Sequence, residues 1–272
     1  MKKHQGGFTL VELVTVVVLI GILAALGGFM ILTPFTSFTD QARRAELTDI
    51  ADNALQRITR EVRQALPNSV RTGPGGTALE FLNTIAGGRY RARVDTPGNT
   101  GDPLVNCNPG ETFDALGGGI GSSAIGKMLV IYNTGTTAAD FNAYRGNNTA
   151  TITNVVGDLV TCDSGNFSFT IPPSSLQRFF VVDTPISYVC SGGSLWRYQN
   201  YAIDQNQPVP AGGLDIGGVL PSLLADQISF CEFSYSANVE GGRYGLLTMR
   251  ITVTAAGESV ALLYQAHVAN IP

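Results

Sequence analysis

The feature that most restricts how this chain can fold is an uninterrupted apolar run near its amino terminus. Residues 8–32 read FTLVELVTVVVLIGILAALGGFMIL, and Glu12 is the only ionisable side chain among them. A helix of about 20 such residues spans the roughly 30 Å of bilayer hydrocarbon, and the run exceeds the roughly 7–15 apolar residues of a secretory signal. We therefore predict a transmembrane helix over residues 8–32.

The charges that precede this run predict its orientation. Residues 1–7, MKKHQGG, carry Lys2 and Lys3. Positive residues next to a membrane helix favour the cytoplasmic side, so the chain beyond the helix is expected on the other side. The prediction is a single-pass inner-membrane protein with its head in the periplasm.

Glu12 needs an explanation because of where it lies. A carboxylate inside an apolar membrane helix costs about 2.5–3.5 kcal/mol on insertion scales, so it is expected to have a partner or a function. A simpler alternative stays open: Glu12 lies only four residues from the start of the run and is a tolerated polar residue near the membrane surface.

The junction before the helix, G-F-T-L-V-E at residues 7–12, resembles the prepilin signal of type IV pilin-like proteins, and the match is close as far as residue 32. The resemblance implies that a prepilin peptidase removes the leader, residues 1–7, by cutting after Gly7, and that Phe8 is then N-methylated. The chain would thus be an enzyme's substrate and not itself an enzyme. The new amine of Phe8 is a cation that would pair with Glu12 of a neighbouring subunit inside the apolar helix bundle.

Residues 33–66 change character and predict an amphipathic helix that continues the anchor. Apolar side chains recur at three- and four-residue steps, as is typical of a helix with one buried face. They are Leu47, Ile50, Ala51, Ala54, Ile58, Val62 and Ala65. Pro67 is expected to end the helix. If it is unbroken, residues 8–66 form one helix about 88 Å long at 1.5 Å per residue.

Residues 67–272 are predicted to form a β-rich head. Residues 248–254 alternate polar and apolar side chains, residues 255–258 supply a turn, and residues 260–266 return, which predicts a β-hairpin. Further strands are expected over residues 78–83, 89–94, 128–132, 167–171, 179–189, 194–201 and 228–235, with Gly- and Pro-rich loops over 97–125 and 204–222. The fold class is α+β: a long amino-terminal helix packed on a mainly antiparallel β-sheet.

The four cysteines all lie in the predicted head: Cys107, Cys162, Cys190 and Cys231. An even number at wide spacing, with no C-x-x-C pair, favours two disulfides in an oxidising compartment over a metal site. Three connectivities are possible. We favour Cys107 with Cys162 and Cys190 with Cys231, because each pair closes a local stretch of adjoining strands.

The composition argues against several classes of function. A net charge of -4 without a basic stripe argues against a nucleic-acid partner. With only His4 and His267 present, a histidine-dependent nucleophile or a zinc site with several imidazoles is not expected, and no cofactor is predicted. Trp196 and Tyr198 have strand spacing and are expected to pack against the sheet.

Four stretches, residues 57–67 at the end of the helix and residues 180–190, 195–198 and 265–272 of the head, are similar to the larger minor pilins, most of all to MshO-type biogenesis subunits of MSHA (mannose-sensitive haemagglutinin) pili. This similarity implies a minor pilin that acts in pilus assembly, in initiation or at the tip, with other pilins and the inner-membrane assembly platform as partners. Two alternatives stay open: a J-type minor pseudopilin of type II secretion, and a membrane-tethered periplasmic binding protein. As in some pseudopilins, the loop carboxylates of Asp102, Glu111 and Asp114 could also gather around calcium.

Overall fold

The structure, a computed structural model, describes residues 7–93, 101–167, 174, 176–208, 216–239 and 243–272, without the side chains of residues 28–37 and 238–239. One long helix, α1, covers Leu10–Val62. The predicted end of this helix at residue 66 is wrong, because the chain after Val62 turns to pair with the first long strand of the head. Leu66 N donates to Leu82 O over 2.8 Å, and Thr84 N donates to Gln64 O over 3.1 Å.

Twelve strands make up most of the described head. They are β1 (Arg71–Thr72), β2 (Ala78–Tyr90), β3 (Glu111–Leu116), β4 (Met128–Ile131), β5 (Asn148–Val156), β6 (Leu159–Phe167), β7 (Arg178–Ser191), β8 (Ser194–Gln199), β9 (Ser222–Ala225), β10 (Ile228–Val239), β11 (Tyr244–Ala255) and β12 (Glu258–Ala269). Short 3-10 helices cover Pro74–Gly76, Ser122–Ala124 and Ala143–Arg145. The strands form a nine-stranded sheet, β1-β2-β3-β6-β5-β4-β7-β8-β9, and a three-stranded sheet, β10-β11-β12, and every described pairing is antiparallel. The predicted α+β class is confirmed.

Part of the nine-stranded sheet closes on itself. Besides its neighbours in the sheet order, β2 pairs along its length with β7, so that β2, β3, β6, β5, β4 and β7 form a ring. Alternate side chains of these strands point inward and fill the ring, with Phe113, Ile152, Val160 and Phe179 fully buried there. Phe113 and Phe179 meet edge to face at 5.4 Å, a favoured aromatic geometry. The ring is a small filled barrel attached to the open part of the sheet.

The second half of α1 packs against the open part of the head. Its predicted apolar stripe is buried, with Leu47, Ala51, Ala54, Ile58 and Val62 each no more than 2% exposed. These side chains share one core with residues of β2, β7, β11 and β12, among them Phe81, Tyr188, Met249, Ile251 and Val268. The helix therefore contacts strands of both sheets, and its stripe is the surface on which they meet.

Two disulfides link elements of the head. Cys107, which precedes β3, is bonded to Cys162 of β6 within the barrel, and Cys190 of β7 is bonded to Cys231 of β10. The second bond joins the nine-stranded sheet to the three-stranded one. This is the pairing that the sequence favoured.

The strand predictions were right for the carboxy-terminal half and less complete before it. The predicted hairpin is β11 and β12, and the predictions over 128–132, 179–189, 194–201 and 228–235 correspond to β4, β7, β8 and β10. The separate strands expected over 78–83 and 89–94 are instead one strand, β2, which ends at Tyr90. The expected strand over 167–171 falls almost entirely outside the described residues.

Three further strands, β3, β5 and β6, differ from what the sequence predicts. The stretch 97–125 was expected to be a loop, but β3 lies within it because Phe113 and Ala115 point into the barrel. Strands β5 and most of β6 were not predicted, since Thr, Asn, Ser and Gly make up much of them and Val156 and Leu159 are exposed, so the alternation is weak.

Candidate functional site

The segment before α1 is open and accessible in this chain. Gly7, Phe8 and Thr9 lie outside the helix, and Phe8 is 82% exposed. A methyl group placed on Gly7 would meet no atom of the described residues within 4 Å. Packing against the part of the chain that the structure describes therefore does not require glycine at position 7.

Thr9 and Glu12 form the first turn of the helix. Thr9 is the N-cap residue, and its Oγ1 accepts a hydrogen bond from Glu12 N at 3.3 Å. This cap uses one of the backbone N–H groups that a helix start leaves free. Among the described residues, the Glu12 carboxylate has no ion pair or side-chain hydrogen bond of its own. It is a negative charge at the positive end of the helix dipole, and none of the described residues pairs with it.

The helix that follows carries a large uncovered apolar surface. Leu10–Gly27 has a mean hydropathy of 2.6, none of it is buried within the chain, and it is long and apolar enough to cross a membrane. Leu10, Leu13, Ile20 and Leu23 are each about 60–80% exposed. A soluble monomer rarely exposes so much contiguous apolar surface, so lipid or other helices must cover it.

Glu61 connects the other end of α1 to the head, and the sequence analysis missed it. Its Oε2 accepts hydrogen bonds from Tyr188 Oη at 2.6 Å and from Arg197 Nε at 2.9 Å, and its Oε1 accepts one from Arg57 Nε at 3.1 Å. Burial favours the neutral acid, but these three bonds outweigh it and lower the pKa of Glu61. The available signal was the helical spacing of Glu61 with Ile58 and Ala65, which places a carboxylate on the buried face.

A second buried carboxylate, Glu80 of β2, was also missed. It is fully buried and forms a bidentate ion pair with Arg71, whose Nη2 lies 3.1 Å from both carboxylate oxygens. Arg71 also donates to the backbone oxygens of Asp204 and Gln205, and its guanidinium lies 3.7 Å above the Tyr144 ring. Burial outweighs the attraction of Arg71 and raises the pKa of Glu80 to about 7.

The carboxylates considered for calcium are occupied within the head. Asp114 Oδ2 accepts from Arg91 Nε at 2.9 Å and from Asp102 N at 3.1 Å. Glu111 Oε2 accepts from the backbone N–H groups of Cys107 and Asn108. In the part of the chain that the structure describes, no group of three or more His, Cys, Asp or Glu residues could hold a metal ion.

The remaining side chains that the sequence singled out lie in the sheets. Tyr198 is fully buried, and Trp196 is half-buried and donates from its indole Nε1 to Ser191 O over 3.1 Å, which confirms that both pack against the sheet. His267 lies on the exposed face of β12 beside the Tyr244 ring.

Comparison with protein families gives one match. The model described as "Prokaryotic N-terminal methylation motif" matches residues 2–28. No curated protein and no solved structure matches the chain. The matched motif supports a type IV pilin-like prepilin, a structural subunit that a prepilin peptidase processes and that assembles with other pilins. Together with the apolar helix, it fits a membrane-anchored protein.

Proposed function

We propose that the chain is a minor pilin-like subunit of an MSHA-type type IV pilus, which acts in assembly, in initiation or at the tip. The proposed chain consists of four segments: the leader 1–7, the transmembrane helix 8–32, the amphipathic helical segment 33–66 and the head 67–272. After cleavage on the carboxyl side of Gly7 and methylation of Phe8, the subunit remains anchored in the inner membrane with its head in the periplasm. The assembly platform then moves it into a fibre at the cell surface.

The observation that carries this proposal is the Glu12 carboxylate, which has no partner among the described residues at the start of an uncovered apolar helix. A second helix packed in parallel, shifted by about four residues or 6 Å along the axis, places its Phe8 amine beside this carboxylate. In an apolar bundle an unpaired charge is costly and a matched pair much less so. Pairing between Phe8 and Glu12 of neighbouring subunits would therefore set their register.

Mass spectrometry of the amino-terminal peptide of the purified protein tests the processing step. The expected peptide begins at Phe8 and carries one methyl group on its amine. A mature protein that still begins at Met1, or one that lacks the apolar segment, contradicts the proposal and supports a membrane-tethered protein outside any fibre or a secreted one.

The substitution Glu12→Gln tests the docking step while it keeps the shape of the side chain. We expect the variant to insert into the membrane and to be cleaved normally, but to be absent from sheared fibres. Thr15→Val is the matched control, because among the described residues the Thr15 hydroxyl donates to carbonyl oxygens of its own helix alone, Val11 O and Glu12 O, each at 3.0 Å. Wild-type amounts of Glu12→Gln in fibres would remove Glu12 from this role.

The matched motif fits a type II secretion pseudopilin equally well, so this alternative remains part of the proposal. Deleting the gene distinguishes the two: loss of surface fibres supports the pilus, and loss of enzyme secretion supports the pseudopilus. The barrel makes the head bulky for a subunit repeated every few ångströms, which favours low abundance or a tip position. Labelling the subunit along isolated fibres tests this, and dense labelling of the shaft would contradict it.

A further inference from the structure

A groove on the outside of the head, which we call the β2 groove, has the chemistry of a binding site. It consists of two adjacent depressions of about 520 Å³ and 320 Å³ that share Phe180. The first is bounded by the chain after α1 and the middle of β2, and the second by the end of β2 and the start of β7. Along β2 the groove extends from Asn83 to Arg89, about 20 Å at 3.3 Å per residue.

The charge of the β2 groove is opposite to that of the whole chain. The chain has 21 acidic and 17 basic residues, yet the described residues that line the groove include three arginines, Arg63, Arg89 and Arg178, and no Asp or Glu. None of the three guanidiniums has a hydrogen bond or an ion pair with any described residue. The groove therefore offers positive charge that the described part of the head does not neutralise.

Two of these arginines are held side by side at one end of the groove. Arg89 of β2 and Arg178 of β7 are direct cross-strand partners, so their side chains leave the same face of the sheet. Like charges in this position destabilise a strand pair. A carboxylate or similar anion between the two guanidiniums would relieve the repulsion and could accept charge-assisted hydrogen bonds from both.

The middle of the groove is apolar on one side and polar on the other. Phe180 is half-buried and Ile85 is 41% exposed, while Gln64 and Asn83 supply amide groups.

The backbone of β2 is also uncovered here. On the edge away from β7, the last described partner before the gap is Ala65, bridged to Asn83, and the next is Leu116, paired with Arg89. No described residue pairs with positions 85–88 on this edge. Gly87 lies within this stretch, and a Cβ there would crowd β7, at 3.0 Å from Phe179 O and 3.5 Å from the Phe180 ring.

We propose that the β2 groove binds an acidic oligosaccharide, one whose sugar rings carry carboxylates. Arg89 and Arg178 hold one carboxylate, Arg63 holds another further along, sugar rings lie against Phe180 and Ile85, and hydroxyls bond to the amides of Gln64 and Asn83. Single-stranded nucleic acid fits less well, because it needs a series of stacking aromatics and the described groove lining offers Phe179 and Phe180 alone, of which Phe179 is buried inside the barrel. An added peptide strand also fits less well, since the free edge is only the four positions 85–88.

The test is calorimetric titration of the full-length protein in nonionic detergent with a tetramer of galacturonic acid. We expect saturable binding that weakens as salt is added. The methyl-esterified tetramer, which keeps the rings and loses the charges, should bind at least tenfold more weakly. Absence of saturable binding, or equal binding of the ester, overturns the proposal.

Variants then place the ligand. Arg89→Gln with Arg178→Gln should weaken tetramer binding at least tenfold, because each lost charge-assisted hydrogen bond is worth about tenfold. Arg145→Gln with Arg250→Gln removes the same charge outside the groove lining and should bind as wild type. A thermal midpoint no lower than that of the wild type shows that both double variants are folded, and removing the Arg89 and Arg178 repulsion should if anything raise it. The exposed Ile85→Glu change should weaken binding without touching an arginine.

Wild-type affinity of the Arg89 and Arg178 double variant, or equal losses in the two double variants, contradicts the assignment. Tighter binding of a hexaglutamate peptide or of a thymidine octanucleotide than of the tetramer also refutes the saccharide and points to the other polymer. All of these measurements can be made whether or not the subunit enters a fibre.

Discussion

Replacing Glu61 by glutamine removes one negative charge from the junction of α1 and the head while keeping the shape of the side chain. The charge matters most to Arg197, whose side chain is only 9% exposed and lies 2.9 Å from the carboxylate. Removing one partner of a buried ion pair costs about 3–5 kcal/mol. Glutamine still offers an oxygen to Tyr188 or Arg197, and the pair with Arg57 is 41% exposed on the arginine side and worth less than about 1 kcal/mol. We therefore expect a loss of about 2–3 kcal/mol in the free energy of unfolding.

The assay is urea unfolding of the full-length protein in detergent, followed by tryptophan fluorescence. The chain has one tryptophan, Trp196, which is half-buried and adjacent to Arg197, so the signal reports on this junction. Asp183→Asn is the matched control on the same strand as Tyr188. It breaks the more exposed pair with Lys127, where the side chains are 38% and 28% exposed, and should cost about 1 kcal/mol or less.

The dependence on pH provides a second check. Because folding lowers the pKa of Glu61, its contribution to stability is present above the unfolded pKa of about 4.5 and is lost as the pH falls through the lower folded pKa. The wild-type protein should therefore lose stability in acid more steeply than Glu61→Gln. Two results would refute the role given to this carboxylate. One is a loss of unfolding free energy at pH 7 that is no larger in Glu61→Gln than in Asp183→Asn. The other is an equal fall in stability with decreasing pH in the wild type and in Glu61→Gln.

Two further predictions concern the head. Folding raises the pKa of Glu80 to about 7, so between pH 4.5 and 7 the folded chain holds a proton that the unfolded chain releases. The free energy of unfolding should therefore fall by up to about 3 kcal/mol over this range. Glu80→Gln should flatten the plot of unfolding free energy against pH between these values, and an unaltered slope would contradict the prediction. Replacing Cys190 and Cys231 by serine removes a disulfide between residues 41 apart in sequence, which should lower the free energy of unfolding by about 4 kcal/mol in the chain-entropy model. Amide hydrogen exchange should become faster in β10 more than in the barrel. Equal acceleration in both would count against a role of this disulfide in linking the two sheets.

The parts of the fold that could be predicted are those whose side chains alternate or recur clearly. The stripe from Leu47 to Val62 has helical spacing, and residues 248–254 alternate without a break, so α1 and the final hairpin followed from local pattern alone. By contrast, Gly87 and Gly88 lie in the interior of β2, where two glycines would be expected to break a strand. They are tolerated because Phe179 and Phe180 of β7 pack directly over them.

The functional residues also differ in whether they could be predicted from the sequence. The junction of Gly7, Phe8 and Glu12 is contiguous in sequence, so reading the residues in order is enough to find it. The pair of Arg89 and Arg178 is not, because the two residues meet only through the register of β2 on β7 and the closure of the barrel. Long-range pairing of this kind leaves no local signal.

The position of β12 along α1 has a consequence for how the protein is made. Arg44 and Asp52 of the helix bond to Glu258 and Tyr264 of this strand, yet about 200 residues separate the end of α1 from the start of β12. The apolar stripe of the helix is synthesised first, and the part of its cover that β11 and β12 supply is made last. The growing chain is therefore exposed to aggregation for most of its translation, and any premature stop before β12 leaves the helix without its main covering strand.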